Sequence, residues 1–235
     1  EVVPLLIDGL RRLEYRGYDS AGVAVVADGR LETRRAEGKL DRLVERLREQ
    51  PLSGSYGVAH TRWATHGKPT ERNAHPVVDS KNRIAIIHNG IIENFLAIKR
   101  RLLAEGWTFA TDTDTEVIAN LVSHYYTGDL AAAVKRAVGE LEGMYACALI
   151  GTGSTHPERE EIVAVRQGTP LVLGLGRGES YLASDPAALI AHTRDVVFLD
   201  NGDIARLTRD GIAIWDRAGE AVNRPTTRLN WDPQQ

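Results

Sequence analysis

From residue 144 onward the sequence is a succession of short strand-like runs, at 144–150, 161–166, 171–175, 181–184, 196–199, 203–207 and 212–215. Gly, Asp and Pro turns punctuate them. Helical patterns cluster in the earlier part, so helix and strand do not alternate regularly. That arrangement excludes a regular parallel α/β sheet and predicts an α+β protein, with antiparallel sheets sandwiched between outer helical layers.

The earlier part supplies those helices. Val3, Leu6, Leu10 and Leu13 fall at helical spacing within 2–15, which predicts an amphipathic helix. Residues 20–27 form a small and β-branched run suited to a buried strand. Asp28-Gly29 then marks a hairpin into 31–37, because Asp-Gly supplies the positive φ that such turns need. Leu40, Leu43, Val44 and Leu47 line one face of a charged helix over 39–50, and 56–61 and 83–88 read as strands. The stripe Ile91, Phe95, Ile98 and Leu102 predicts a helix over 91–105, and Thr113-Asp114-Thr115-Glu116 has the form of a capping box opening another. A last helix covers 130–141. Periodicity fades near Ala218, which divides the chain into a domain over 1–217 and a linker over 218–235.

Composition narrows the function classes. A formal charge of −3 offers no attraction to nucleic acid or an anionic membrane. No apolar run approaches the roughly 18–20 residues that span a bilayer, and no signal peptide is visible. A single cysteine cannot form an internal disulfide, which fits a reducing, cytoplasmic setting. Seven histidines raise the question of a metal, but no Cys or carboxylate partner falls at a zinc-site interval, so neither metal nor cofactor is expected.

Chemistry-bearing residues crowd into His60-Thr61-Arg62-Trp63-Ala64-Thr65-His66-Gly67, at the end of one predicted strand, and His88-Asn89-Gly90, at the end of the next. A guanidinium, hydroxyls and backbone N–H groups on such loops suit a small anionic ligand. The planar fork of Arg62 can pair with a carboxylate through two parallel hydrogen bonds, although an ordinary surface ion pair is the bland alternative. Asp114 stands at a predicted helix start. It either caps that helix or holds an ammonium group, and in the second case Arg62 and Asp114 together would clamp an α-amino acid. Asn89-Gly90 is either a plain turn or an oxyanion hole built from the Asn89 amide and the Gly90 N–H. Cys147 lies in an apolar strand and reads as a buried hydrophobe.

Taken together, these motifs resemble the glutamine amidotransferase domain of the glutamine–fructose-6-phosphate aminotransferases. The resemblance runs through Leu13-Glu14-Tyr15-Arg16-Gly17-Tyr18-Asp19-Ser20-Ala21-Gly22, the His60 to Gly67 motif, Asn73-Ala74-His75-Pro76, His88-Asn89-Gly90-Ile91-Ile92-Glu93-Asn94, Thr113-Asp114-Thr115-Glu116-Val117 and Ala183-Ser184-Asp185. It implies a four-layer αββα sandwich of the N-terminal-nucleophile hydrolase type. It also implies that Arg62 binds the glutamine α-carboxylate and Asp114 the α-amino group. Thr65, His66 and Gly67 would line the pocket, Asn89 and Gly90 form the oxyanion hole, and Trp63 close over the site, with Arg16 near the reacting centre. L-Glutamine and L-glutamate are the implied ligands, the ammonia serving glucosamine 6-phosphate synthesis. The implied partners are a sugar isomerase domain of the same polypeptide and, in the full-length enzyme, a second copy forming a homodimer.

In that family the nucleophile is an N-terminal cysteine whose own α-amine acts as base. The Cys-Gly-Ile-Val-Gly opening strand that carries it has no counterpart here, so the chain as written is expected to lack hydrolytic activity. Two other readings stay open: a non-catalytic glutamine-sensing module, and the amidotransferase half of another glutamine-dependent synthase.

Overall fold

The strand-rich stretch does form antiparallel sheets, and the helices do lie outside them. The computed structural model describes residues 1–16, 18–63 and 68–230. In chain order the elements are α1 (Val3–Arg12), β1 (Ser20–Ala27), β2 (Arg30–Glu37), α2 (Leu40–Glu49), β3 (Gly57–Arg62), β4 (Val77–Val78), β5 (Ile84–Ile92), α3 (Phe95–Ala104), α4 (Asp114–Tyr125) and α5 (Leu130–Val138). Strands follow: β6 (Gly143–Gly151), β7 (Ile162–Gln167), β8 (Val172–Leu175), β9 (Ser180–Ala183), β10 (Asp195–Phe198), β11 (Ile204–Thr208), β12 (Gly211–Trp215), β13 (Ala221–Val222) and β14 (Thr226–Arg228). Among the described residues no helix is long and apolar enough to cross a membrane.

These strands make three sheets: β2-β1-β3, β14-β10-β8-β9, and a seven-stranded sheet β13-β12-β11-β7-β6-β5-β4. Alternation along each strand splits the core into layers. On β5, Ile84, Ile86 and Ile92 pack with Leu102, Val117, Ile118 and Leu121 of the helices α3 and α4. Ala85 turns the other way and meets Ala24, Val58, Ala148 and Ile150 between the large sheet and the three-stranded one. Val23 and Val25 of β1 bury the outer face of that small sheet against Leu10 of α1 and Leu40 and Leu43 of α2. Leu171, Leu173 and Val197 fill the space between the four-stranded sheet and Ala146, Ala205 and Leu207 of the large one. The result is helices, two smaller sheets side by side, one large sheet and helices again: the four-layer αββα sandwich.

Among the described residues the two smaller sheets do not join. The edge strand β3 of one and the edge strand β9 of the other flank a slot of about 650 Å³, floored by residues 87–90 and 146–148 of the large sheet and walled by α1. Both edges run the same way along it. At their beginnings, Ser55 and Arg209 both bond Glu160 and Ser180 bonds the Thr208 carbonyl; at their ends, Asp19 N–H bonds the Arg62 carbonyl and Arg16 bonds the Ser184 hydroxyl.

Two sequence expectations need adjusting. The helix expected over 91–105 begins only at Phe95, because Ile91 and Ile92 extend β5 and pair with Met144 and Gly143. An Ile-Ile pair suits a strand as well as a helix, and the neighbouring strand decides. Beyond 218, where periodicity is lost, residues 221–222 and 226–228 add β13 and β14 to two of the sheets.

Candidate functional site

The two motif-bearing strands lie in different sheets and meet at one end of the slot. β3 turns Val58, His60 and Arg62 toward the large sheet, and β5 turns Asn89 back toward β3. Arg62 is only 4% exposed. Burial lowers its pKa from the ordinary arginine value, while the carboxylates of Asp19 and Asp114 oppose that shift. Arg62 Nη1 also donates to the Lys68 carbonyl at 3.4 Å.

Asp114 is 3% exposed and is not the helix cap. That task falls to Thr113, whose hydroxyl accepts from the Glu116 N–H. The other half of the expected capping box is redirected, since the Glu116 carboxylate takes the N–H groups of Ala110 and Thr111 at 2.9 and 2.7 Å. Asp114 is thus released for the site. One of its oxygens accepts from Ile92 N–H at 3.0 Å, and the other lies 3.9 Å from His88 Nδ1. Asn73, which sequence spacing does not single out, connects this region to the Arg62 side. Its amide donates to the Lys68 carbonyl at 3.0 Å and its oxygen accepts from Asp112 N–H at 3.0 Å.

Gly90 has φ +111°, a conformation that favours glycine, and a Cβ there would overlap the Met144 carbonyl oxygen on β6. Its neighbour Asn89 bonds His60 through Oδ1 at 2.7 Å. Behind them three buried imidazoles stack: His60 on His75 at 4.6 Å between ring centroids, and His75 on His88 at 6.4 Å. Thr115 of α4 bridges the latter two, its hydroxyl lying 3.2 Å from His75 Nε2 and 2.9 Å from His88 Nδ1. Burial holds His60 down at about 4 and His75 well below the ordinary histidine value, so both rings are neutral near pH 7. Among the described residues no group of three His, Cys, Asp or Glu side chains is arranged to hold a metal.

Trp63 is 70% exposed at the slot's mouth. Arg16 lines the slot but bonds Ser184 Oγ at 2.8 Å and Asp185 at 3.2 Å. Thr65, His66 and Gly67, expected to line the pocket, and Gly17 lie outside the described residues. Cys147 is 2% exposed on β6, and burial, reinforced by the Asp114 carboxylate, pushes its thiol far above the usual range. A thiol so hard to ionise is no nucleophile.

Residues 60–191 match the glutamine amidotransferase domain family. The chain belongs to that family. This amidotransferase domain is 50% identical over 227 residues to a glutamine–fructose-6-phosphate aminotransferase [isomerizing] of Thermus thermophilus, covering 97% of this chain and 37% of that protein. It is 48% identical over 235 residues to the protein of the same name from Symbiobacterium thermophilum, covering all of this chain and 38% of the relative. The chain therefore spans well under half the length of these curated relatives. Among solved structures, the glutamine phosphoribosylpyrophosphate amidotransferase of B. subtilis matches with a TM-score of 0.76 at 24% identity, over 93% of this chain and 47% of that one. That likeness establishes a shared fold, the four-layer αββα sandwich.

Proposed function

We propose that the chain is the glutaminase half of a glutamine–fructose-6-phosphate aminotransferase. It binds L-glutamine at the Arg62 end of the slot and releases ammonia for glucosamine 6-phosphate synthesis by a sugar isomerase domain of the same cytoplasmic polypeptide, which works as a homodimer. The observation that carries the reading is the gathering of Arg62, Asp114, Asn89 and Gly90 at one end of a slot between two unpaired edges. The greater length of the similar proteins supports the partner domain.

In this reading Arg62 pairs with the α-carboxylate and Asp114 with the α-ammonium. The carboxamide then lies toward Asn89 and Gly90, with Trp63, Thr65, His66 and Gly67 around it and Arg16 nearby. A strand laid antiparallel between β3 and β9 would pair with both, and at about 3.3 Å per residue roughly six residues fill the length of β3. Its first residue would then sit beside the oxyanion donors. A cysteine there attacks the carboxamide carbon and its α-amine takes the thiol proton. Asn89 and Gly90 bind the oxyanion, ammonia leaves with that proton, and water then cleaves the thioester to glutamate. Cys147 plays no part, so the 235-residue chain alone binds glutamine without turning it over.

The test is to graft a Cys-Gly-Ile-Val-Gly strand with a short connector ahead of Glu1 and to measure glutamate and ammonia release. Hydrolysis by the graft, abolished when its Cys becomes Ala, is expected. A folded graft that binds glutamine without hydrolysing it would favour a sensing module, and one that neither binds nor hydrolyses would remove glutamine from the reading.

A further inference from the structure

Asn89 serves an oxyanion only if its Nδ2–H2 group faces the slot, and a side-chain amide can be turned either way unless its hydrogen-bond partners decide. His60 supplies that decision. It sits two residues before Arg62 on β3, and its Nε2 faces the Asn89 amide at 2.7 Å across the gap between the two sheets. The ring's other partner is the main chain of His88, which favours a protonated ring and so acts as an acceptor. His60 Nδ1 is buried and has no hydrogen-bond partner among the described residues.

A neutral imidazole carries one N–H. Placed on Nε2, that proton faces the Asn89 Oδ1 and His88 main-chain acceptors; placed on Nδ1, it meets no partner among the described residues and leaves Nε2 to confront the His88 oxygen with a lone pair. Nδ1 is unpartnered among the described residues in either tautomer, so the choice is made at Nε2, where a proton gains hydrogen bonds and a lone pair would meet an acceptor oxygen. The stack against His75, itself held by Thr115, keeps the ring from swinging to another partner.

We propose that His60 is a positioning residue: as the Nε2–H tautomer it donates to Asn89 Oδ1 and thereby turns the Asn89 Nδ2–H2 group into the slot as an anion donor. The catalytic consequence rests on the glutaminase reading; the tautomer and the amide orientation do not. In this role His60 acts through Asn89. Its neutrality is part of the device, since a charged ring beside Arg62 would compete for the carboxylate that Arg62 is placed to bind.

The first test is long-range proton–nitrogen NMR on the 235-residue chain with ¹⁵N-labelled histidine. At pH 7 the His60 signal should show a protonated Nε2 and a bare Nδ1. A protonated Nδ1 would overturn the proposal, because Asn89 would then donate to His60 and present its oxygen to the slot. The second test uses the strand-grafted protein. His60→Leu should lower kcat by about 10²-fold, the usual effect of losing one oxyanion donor, with little change in KM. His60→Gln, whose amide can still donate, should recover most of the rate, and in an Asn89→Ala background His60→Leu should add nothing. An effect on KM alone, or losses that simply multiply, would refute the positioning role. If the graft hydrolyses no glutamine at all, the glutaminase reading falls while the NMR result still decides how Asn89 is turned.

Discussion

The buried imidazoles make stability depend on pH in one direction. His60 has a folded pKa of about 4 against 6.5 when free, so between those values the unfolded chain binds more protons. Its contribution is fully present above pH 6.5 and drains away as the pH falls toward 4, a loss on the order of 3 kcal/mol. His75, depressed by the same burial, acts in the same direction. Urea unfolding at pH 7, 6 and 5 should show this decline, and His60→Gln, with nothing to titrate, should flatten it. Gly90→Ala forces a methyl against the Met144 carbonyl at a left-handed φ and should cost about 1–3 kcal/mol in backbone strain alone. Arg62→Lys keeps the charge but loses the fork. Calorimetry should show weaker glutamine binding with an unchanged fold; equal affinity would remove Arg62 from the binding site.

Among the elements, α4 shows how a local signal and a distant contact share the work. Thr113→Ala should lower stability by about 1 kcal/mol through loss of the cap, and should also weaken ligand binding by loosening the turn that carries Asp114. A stability loss with binding intact would separate the cap from the site. The cap is legible in Thr113-x-x-Glu116 because it joins neighbours in sequence. Most strands are legible too, since their apolar runs are bracketed by turn residues. The end of β5 is not: Ile91 and Ile92 suit either element until β6 lies beside them. Nor can spacing reveal that His60 bonds Asn89, a contact between residues 29 apart on two different sheets. Asn73 is equally silent, because its role is to join two loops. The edges of β3 and β9 predict a further outcome. Their unpaired amides should exchange with solvent faster than those of β1 and β8, and filling the slot with the grafted strand should slow them and raise Tm.

Over the whole molecule the last strands are secured by charge as well as pairing. Arg224 forks onto both oxygens of the buried Asp203 at 2.8 and 2.9 Å, tying the segment between β13 and β14 to the turn before β11. Arg224→Met strands that carboxylate in the interior and should lower Tm by several degrees and open the segment after β12 to protease; an unchanged digestion pattern would show that β14 alone holds it. A wider consequence follows from the small residues between the facing sheets. Ala24, Ala85 and Ala148 set how closely β3 approaches β5, and so how far His60 and Arg62 stand from Asn89 and Asp114. The width of the site is the spacing of two layers, like jaws whose gap is set by the shim behind them. By changing that gap, substitutions at those alanines would change how well the pocket fits its ligand.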